Sequence, residues 1–561
     1  MSICAPRVLI AAPASATGKT TVACGLMRAL VRRGLKVQAC KSGPDYIDPM
    51  FHAEVVGATS RNLDLFFADV PLVRALLAKG ARQADVTVIE GAMGYYDGIA
   101  GSAQASAWEL AAKTDTPCVL VIDGRGRALS AAAEVAGFVR FRDPSKICGV
   151  IVNRVSAGYF PRLKKIIEDE TGVPVLGYLP VLADCGLESR HLGLVTASEV
   201  EGLRDTLDRI AAVLEDTVDL DALLELAATA PQLDCPDAMT KENRPRSDAA
   251  VTSENRPCTA AAMTSENRPR IVVARDEAFC FYYRDSLDLL EELGAQLVEF
   301  SPLVDSGLPE GTSGLYLGGG YPELHASALS ANEPMRASVK AAIAAGLPTV
   351  AECGGFMYLH EWLEDDKGMR HPMVGTIAGT SFKTDRLGRF GYVTLTAHGD
   401  SLLACAGAQL PAHEFHYWDS ENCGDDFTAA KPLSTRKWEC VHATPTLFAG
   451  YPHLYLASCP DAARRFVEAA AAYRRGGALC CPSTSWHWPS GSRSTSSWAT
   501  RIGSRIPSGS SGTSSRGSSA SCAASFRQPR KGSAPRESFS PSWSAPSPRP
   551  APSPCSCSAA W

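Results

Sequence analysis

Long apolar runs are missing from this sequence. No stretch of about eighteen apolar residues occurs in the 561-residue chain, which argues against a helical membrane span. The 19 cysteines include no C-x-x-C pair, so neither a zinc site nor a disulfide framework is signalled, and most read as reduced, small core residues. Acid is almost absent from the last stretch, where from Arg475 onward ten Lys or Arg face one acid, Glu537. That segment contributes +9 to a whole-chain net charge of -5 and leaves -14 for the body, a poor surface for nucleic acid. The opening "RVLIAAPASA" mimics a short secretory segment, but the glycine and lysine that follow suit a first strand and its loop better. A cytoplasmic protein is therefore expected.

The chain exceeds what one hydrophobic core serves, and its 45% apolar content is ordinary for a globular protein, so two domains plus extras are expected. Apolar runs "RVLIAAPA", "KVQACK", "DVTVIEGA", "CVLVIDG" and "ICGVIVNRV" alternate with helix-like "KTTVACGLMRALVRRG" and "ALSAAAEVAGFVRF". That alternation predicts an α/β domain over residues 1–228, its parallel sheet covered by helices on both faces. Polar near-repeats "MTKENRPR", "TSENRP" and "MTSENRPR" mark residues 229–270 as a flexible linker. Alternation resumes with "RIVVARDEAF", "AQLVEFSPL", "GLYLGGGYPEL" and "LPTVAECGG", predicting a second α/β domain over 271–474. Residues 475–561 are Ser, Pro and Arg rich without a period that buries a face, and are expected to be disordered and dispensable. Their composition resembles an out-of-frame reading of GC-rich coding sequence, which resequencing would test.

In the first domain "APASATGKTT" follows a strand and opens a helix, the setting in which backbone N–H groups and a lysine cradle phosphates. Ser15, Gly18, Lys19, Thr20 and Thr21 form this loop, with Lys19 directed at phosphates and the Thr20 hydroxyl at Mg²⁺. Pro13 stands where the usual motif has glycine, and an accidental Gly-Lys-Thr helix start is the bland alternative. "KSGPDYIDPMFH" follows the second strand and holds Asp45 and Asp48, while "VIEGAMGYYDG" ends a strand at Glu90 and carries Asp97 in a glycine-rich loop. Glu90 is placed to act on magnesium or on a bridging water, and the two aspartates of the first stretch to bind Mg²⁺ or orient a substrate. Singly, such acids are more often solvated turn residues; four after successive strands beside a phosphate loop point to a site. Asn153, closing "GVIVN", either reads adenine or caps a turn.

In the second domain a strand ending in Glu352, then Cys353-Gly354-Gly355, then helix-like "FMYLHEWL" predicts a nucleophile elbow. The turn is expected to expose the thiol at a helix N-terminus that lowers its pKa, with neighbouring N–H groups holding an oxyanion. "YLGGGYPE" offers a second glycine loop to complete that hole, and a buried structural cysteine is the alternative. A thiol nucleophile wants a histidine base, and His413, His416 and His453 are candidates between which spacing does not choose.

"SATGKTT", "KSGPDYIDPMFH", "VIEGAMGYYDG", "RHLGLV" (190–195), "LYLGGGYPELHA", "AECGGFMYL", "HEFHY" and "YPHLYLAS" together resemble the cobyrinic acid a,c-diamide synthases, class I glutamine amidotransferases of cobalamin biosynthesis. The resemblance covers both α/β domains, and "GPDYIDPMFH" is its most specific element. It implies a P-loop-type, dethiobiotin-synthetase-like ATPase domain followed by a class I glutaminase domain. It also implies ATP, Mg²⁺, L-glutamine and a corrinoid, with a homodimer among the assemblies it allows.

By the same resemblance Cys353 hydrolyses glutamine, His453 is its base, and Gly320 and Gly354 line the oxyanion hole. The residues themselves make Thr20, Asp45 and Glu90 the expected metal donors and Asp48 and Asp97 the expected contacts of substrate or acyl phosphate, while the resemblance makes His416 a substrate-side or structural histidine. Tyr455 stands where most class I glutaminases carry an acid, so a Cys-His dyad is expected. Hydrogenobyrinic acid and a nickel sirohydrochlorin are the alternative acceptors. A partitioning-type switch ATPase is the reading from another class, although it has no use for Cys-Gly-Gly and a distant histidine.

Overall fold

The computed structural model describes residues 2–182, 185, 197–234 and 268–476. The "RHLGLV" stretch, the first two ENRP copies with most of the third, and almost the whole tail lie outside the described residues.

Seven parallel strands form the first sheet, in the spatial order Thr59–Leu63, Val37–Ser42, Val86–Glu90, Arg7–Ala11, Cys118–Asp123, Ile147–Asn153 and Val175–Leu179. Alternation along each strand feeds two layers. Val8 and Ile10 pack with Val22, Leu26 and Leu30 of helix Lys19–Arg32 and with Ile210 and Leu214 of helix Ala197–Thr217. Leu9 and Ala11 face the opposite layer, with Leu77 of helix Val70–Ala81, Leu110 of Ala107–Thr114 and Val135 of Leu129–Phe141. Burial on both faces explains why these strands read as continuous apolar runs. The loops at their carboxyl ends then form a polar rim on which a ligand site can be built.

Five parallel strands carry the second domain, in the order Gln296–Phe300, Arg270–Ala274, Gly314–Leu317, Thr349–Glu352 and Leu447–Gly450, with His442–Ala443 added antiparallel at the edge. A five-stranded antiparallel sheet, from Lys437–Cys440 through Phe427–Ala430, Arg389–Ala397 and Gln409–His416 to His453–Leu454, was not foreseen. Its last pairing sets His413 opposite His453.

One local expectation needs correction. "FMYLHEWL" is not one helix: Gly354–Leu359 is helical, His360 turns extended at φ -66°, ψ 168°, and His360–Glu364 becomes a strand between Arg370–Pro372 and Ile377–Lys383. Six helical residues suffice to turn the chain, and sheet pairing outbids helical propensity beyond them. "TSRNL", with one apolar residue, forms the edge strand Thr59–Leu63 because its polar side chains find buried partners. Arg61 pairs with Asp285 and Asp288 of the second domain, and Asn62 Nδ2 donates to the Gly43 and Asp45 carbonyls at 2.9 and 2.7 Å.

Candidate active site

The phosphate loop joins strand Arg7–Ala11 to helix Lys19–Arg32 and ends at Gly18, which sits in the left-handed region at φ +94°. A side chain there is excluded twice over, since an added Cβ would lie 2.1 Å from Asn153 Nδ2. Lys19 and Thr20, the first two helical residues, converge on Glu90: the Lys19 ammonium lies 3.5 Å from Oε1, and the Thr20 hydroxyl donates to the same oxygen at 2.5 Å. Thr21 follows on the same turn, and Ser15 stands exposed on the loop. Asn153 Nδ2 donates to the Thr17 carbonyl at 2.8 Å, so its carboxamide braces the phosphate loop. Next to it a cavity of about 410 Å³ opens between Gly124–Ala128 and Arg154–Ser156, with Tyr159 on its wall.

Lys41, which the sequence reading passed over, organises the acids. Its ammonium is 2.5 Å from Asp48 Oδ2, 3.1 Å from Glu90 Oε1 and 3.9 Å from Asp45 Oδ2. Burial alone would pull its pKa down, but Asp48, Glu90 and Asp45 outweigh burial and raise it. Burial likewise acts to raise Glu90, yet Lys41, Lys19 and His52 hold it well below the ordinary carboxylate range, so it stays anionic. Asp45 is pushed up to about 6 by burial and by Asp48, while its Oδ1 accepts from the backbone N–H of Ile47 and Asp48 at 2.8 and 3.2 Å. It thereby caps the short helix Ile47–Phe51 as well as facing the cluster.

His52 was also unforeseen. Nε2 lies 3.0 Å from Glu90 Oε2 and Nδ1 3.1 Å from Ser60 Oγ, which orients the carboxylate from behind. Cys24, His52 and Glu90 offer ligand atoms within 4.8 Å of one another, but with both ring nitrogens engaged the group reads as a buttress for Glu90. Asp97 is exposed and close to the phosphate loop: a Cβ on Gly94 would be 2.2 Å from its Oδ2 and 2.6 Å from the Pro13 carbonyl.

In the second domain the strand Thr349–Glu352 runs into Cys353, whose φ of +48° and ψ of -102° put a non-glycine residue in a sparsely populated region. Such strain is what a nucleophile elbow requires. The turn is held by Cys353 N–H donating to the Gly450 carbonyl at 2.8 Å and Gly355 N–H to the Gly318 carbonyl at 2.9 Å. A Cβ on Gly354 would meet Gly320 N at 3.0 Å, so the amides of Gly320 and Gly354 lie side by side, and the Gly354 N–H addresses the Cys353 sulfur.

The thiol is not exposed, and its pKa is not lowered. Cys353 is 6% exposed, and burial, followed by the nearby Glu323, pushes the thiol up despite the Gly354 N–H. Six helical residues after the cysteine carry too little dipole to reverse that desolvation. His453 moves the other way, drawn down to about 3 by burial and by His416. The Cys353 thiol and the His453 imidazole are therefore both neutral at neutral pH.

His453 packs on the glycine loop, where a Cβ at Gly319 would lie 2.4 Å from its Cε1. Its Nδ1 has no hydrogen-bond partner among the described residues. The Tyr455 hydroxyl is directed elsewhere, donating to Asp285 Oδ2 at 2.9 Å. Glu352, named in the sequence only as the strand's end, spans the site: Oε1 accepts from Leu454 N–H at 3.0 Å and Oε2 from the Tyr316 hydroxyl at 3.1 Å. His416 is tied into its own domain, stacked on Tyr451 at 3.9 Å, with Nδ1 2.5 Å from the Trp418 carbonyl and Nε2 3.2 Å from Glu414 Oε2.

The two centres meet. The Tyr46 ring, between Asp45 and Asp48, lies 5.0 Å from the His453 ring, 4.3 Å from Tyr283 and 5.3 Å from Phe281. A nucleotide-binding fold joined to a strained cysteine elbow is the design of a glutamine-dependent amidating ligase. Residues 8–193 match the model of the CobQ/CobB/MinD/ParA nucleotide binding domain, and residues 270–460 that of the CobB/CobQ-like glutamine amidotransferase domain.

The chain is 37% identical to the cobyrinate a,c-diamide synthase of Caldanaerobacter subterraneus over 83% of its own length and 99% of the relative's. With the enzyme of that name from Salmonella typhimurium it shares 40% identity over 82% of this chain and 97% of that one. The hydrogenobyrinate a,c-diamide synthase of Streptomyces coelicolor is 39% identical over the same two shares. The chain belongs to the cobyrinate a,c-diamide synthase family.

Proposed function

We propose that this chain transfers glutamine-derived ammonia to the a and c acetate carboxylates of cobyrinic acid or its metal-free counterpart, activating each as an acyl phosphate with ATP. The observation that carries the reading is the contact of the 43–52 loop with both centres: Asp48 meets Lys41 at 2.5 Å beside the phosphate loop, and Tyr46 lies 5.0 Å from the glutaminase histidine. A carboxylate is a poor electrophile, and a free amide holds its nitrogen. One chain therefore needs a phosphate loop for the first difficulty and a thiol for the second.

Cys353 Sγ attacks the glutamine carboxamide carbon as His453 accepts the thiol proton, so the neutral pair becomes charged only while the bond forms. The oxyanion is received by the N–H groups of Gly320 and Gly354. Imidazolium then protonates the departing ammonia, and water hydrolyses the glutamyl thioester. In the first domain Lys19 binds the terminal phosphates of ATP, and Ser15, Gly18, Thr21 and Asn153 shape the nucleotide site. Asp48 and Asp97 are assigned to the acceptor and its acyl phosphate, and His416, with both ring nitrogens engaged, to the structural role that was its alternative.

Thr20, Asp45 and Glu90 are the oxygen donors for Mg²⁺, a hard ion suited to such ligands. The anionic state of Glu90 and the ammonium already lodged among these acids support a cation there. Bound magnesium supplies charge neutralisation on the phosphoryl oxygens. Cytoplasmic location and homodimeric assembly belong to the same proposal, the latter testable by size-exclusion chromatography.

The test incubates the full chain with ATP, either glutamine or ammonium, and in turn cobyrinic acid, its metal-free counterpart or a nickel sirohydrochlorin, with mass spectrometry as the readout. Two acid-to-amide replacements on one of the first two acceptors are expected. Cys353→Ala should abolish the glutamine-dependent reaction and keep the ammonium-dependent one. ADP release indifferent to both nitrogen sources would instead identify a switch ATPase and overturn the proposal.

A further inference from the structure

The base of the glutaminase lacks the usual means of orientation. An imidazole that serves a nucleophile is ordinarily fixed by a third group hydrogen-bonded to its far nitrogen. Here His453 Nδ1 has no such partner among the described residues, and the Tyr455 hydroxyl two residues on is committed to Asp285. Its backbone is well held, by pairing with His413 and by Glu352 on the next N–H. Those contacts hold the main chain and not the ring itself, which is placed by what packs on it. The contacts of that buried ring include the Gly319 backbone, where no side chain fits, and, from the first domain, the Tyr46 ring at 5.0 Å and 46°.

Tyr46 does not belong to the glutaminase domain. It sits in the 43–52 loop of the first domain, flanked by Asp45 and Asp48. It is stacked on Phe281 at 5.3 Å and 13° and packed against Tyr283, whose hydroxyl donates to the Pro44 carbonyl at 3.1 Å. Asn62 pins the same loop through the carbonyls of Gly43 and Asp45. Contacts therefore run from the phosphate loop through Glu90 and Lys41 to Asp48, and the same loop two residues earlier carries Tyr46 to His453.

We infer that Tyr46 is the positioning residue for His453: its aromatic face does by packing what a third triad member does by hydrogen bonding, and it does so from the other domain. The inference rests on the Cys353–His453 assignment made above. Glutamine hydrolysis is then tied to the state of the acceptor-side loop. When residues 43–52 leave this position the imidazole loses its neighbour, and ammonia is not released without an acceptor site in order.

The test uses the full chain and measures two rates: glutamate release from glutamine, and amidation supported by ammonium, which bypasses the thiol. Tyr46→Ala is expected to lower kcat for glutamate release between ~10- and ~100-fold, the cost of a misplaced catalytic group. KM for glutamine should stay within ~2-fold and the ammonium-dependent rate should fall far less, because the contact with His453 serves the base while Asp45 and Asp48 keep their own partners. Tyr46→Phe, which keeps the ring, should match the parent in both. Tyr46→Leu covers the event that the alanine variant does not fold, with an expected loss of at least ~5-fold in glutamate release.

Equal loss of both rates, a Phe variant as impaired as Ala, or unchanged glutamate release in Ala and Leu would each overturn the inference. Cys353→Ala, run alongside, separates the two ideas: glutamate release surviving in it defeats the nucleophile assignment itself, and its silence leaves the Tyr46 variants to decide.

Discussion

Glu352 shows how a single buried side chain couples the two halves of the glutaminase site. It precedes Cys353, is 2% exposed, and holds the Leu454 N–H next to His453. Burial pushes its carboxyl up to about 8 from an ordinary 4.5, so the folded chain retains a proton there that the unfolded chain releases. Stability therefore falls as pH rises from the unfolded value to the folded one, and levels off above it. Glu352→Gln keeps an acceptor for Leu454 N–H without the titration. Denaturant midpoints at pH 5 and pH 8 are expected to show a pH-dependent loss smaller in the variant by on the order of 3 kcal/mol. Identical pH dependence in the two proteins would mean that Glu352 is ionised throughout. The residue was visible in "AECGG", but its task was not, because its partners Tyr316 and Leu454 lie far away along the chain. Lys41 and His52 were equally visible at the ends of "KSGPDYIDPMFH". Only the fold brings Glu90 between them.

At the scale of elements, the elbow depends on how closely helix Gly354–Leu359 approaches strand Gly314–Leu317. A Cβ at Gly355 would sit 2.2 Å from the Leu317 carbonyl, a backbone atom that cannot swing aside. Gly355→Ala is accordingly expected to displace the elbow and lower glutamine-dependent amidation by ~100-fold or more, while ammonium-dependent amidation persists. Parallel assays with the two nitrogen sources check this, and a glutamine-dependent rate near the parent's would show that the elbow tolerates the methyl group. Apolar runs forecast the parallel strands well, since burial on both faces leaves a plain record in the residues. The segment after the elbow misled, because "FMYLHEWL" carries helical apolar spacing, yet His360–Glu364 is recruited by strands at Arg370–Pro372 and Ile377–Lys383. The antiparallel sheet that carries His413, His416 and His453 left no comparable record, as its strands are half-buried.

In the whole molecule, one charged network joins the domains. Arg61 pairs with Asp285 and Asp288; Lys79 lies 2.9 Å from Asp288 and 2.7 Å from Glu292; and Tyr455 also donates to Asp285. Beside it the Tyr392 hydroxyl donates to Asp64 at 2.7 Å. Arg61→Ala strands Asp285 in a buried position and is expected to cost about 3 kcal/mol of stability. With the docking loosened, more glutamate should be released per amide formed. Comparing glutamate with amide product tests this, and an unchanged ratio would confine Arg61 to a structural part. The sequence by itself determined the parallel-strand cores, the phosphate loop, the cysteine elbow and the family, because each is written in contiguous residues whose local geometry and burial repeat along the chain. Only the tertiary structure decided which side chains complete the chemistry. Lys41 among the acids, Glu352 beside the base and Tyr46 against His453 are contacts made across strands and domains, and packing in three dimensions selects them with no local signal at either end.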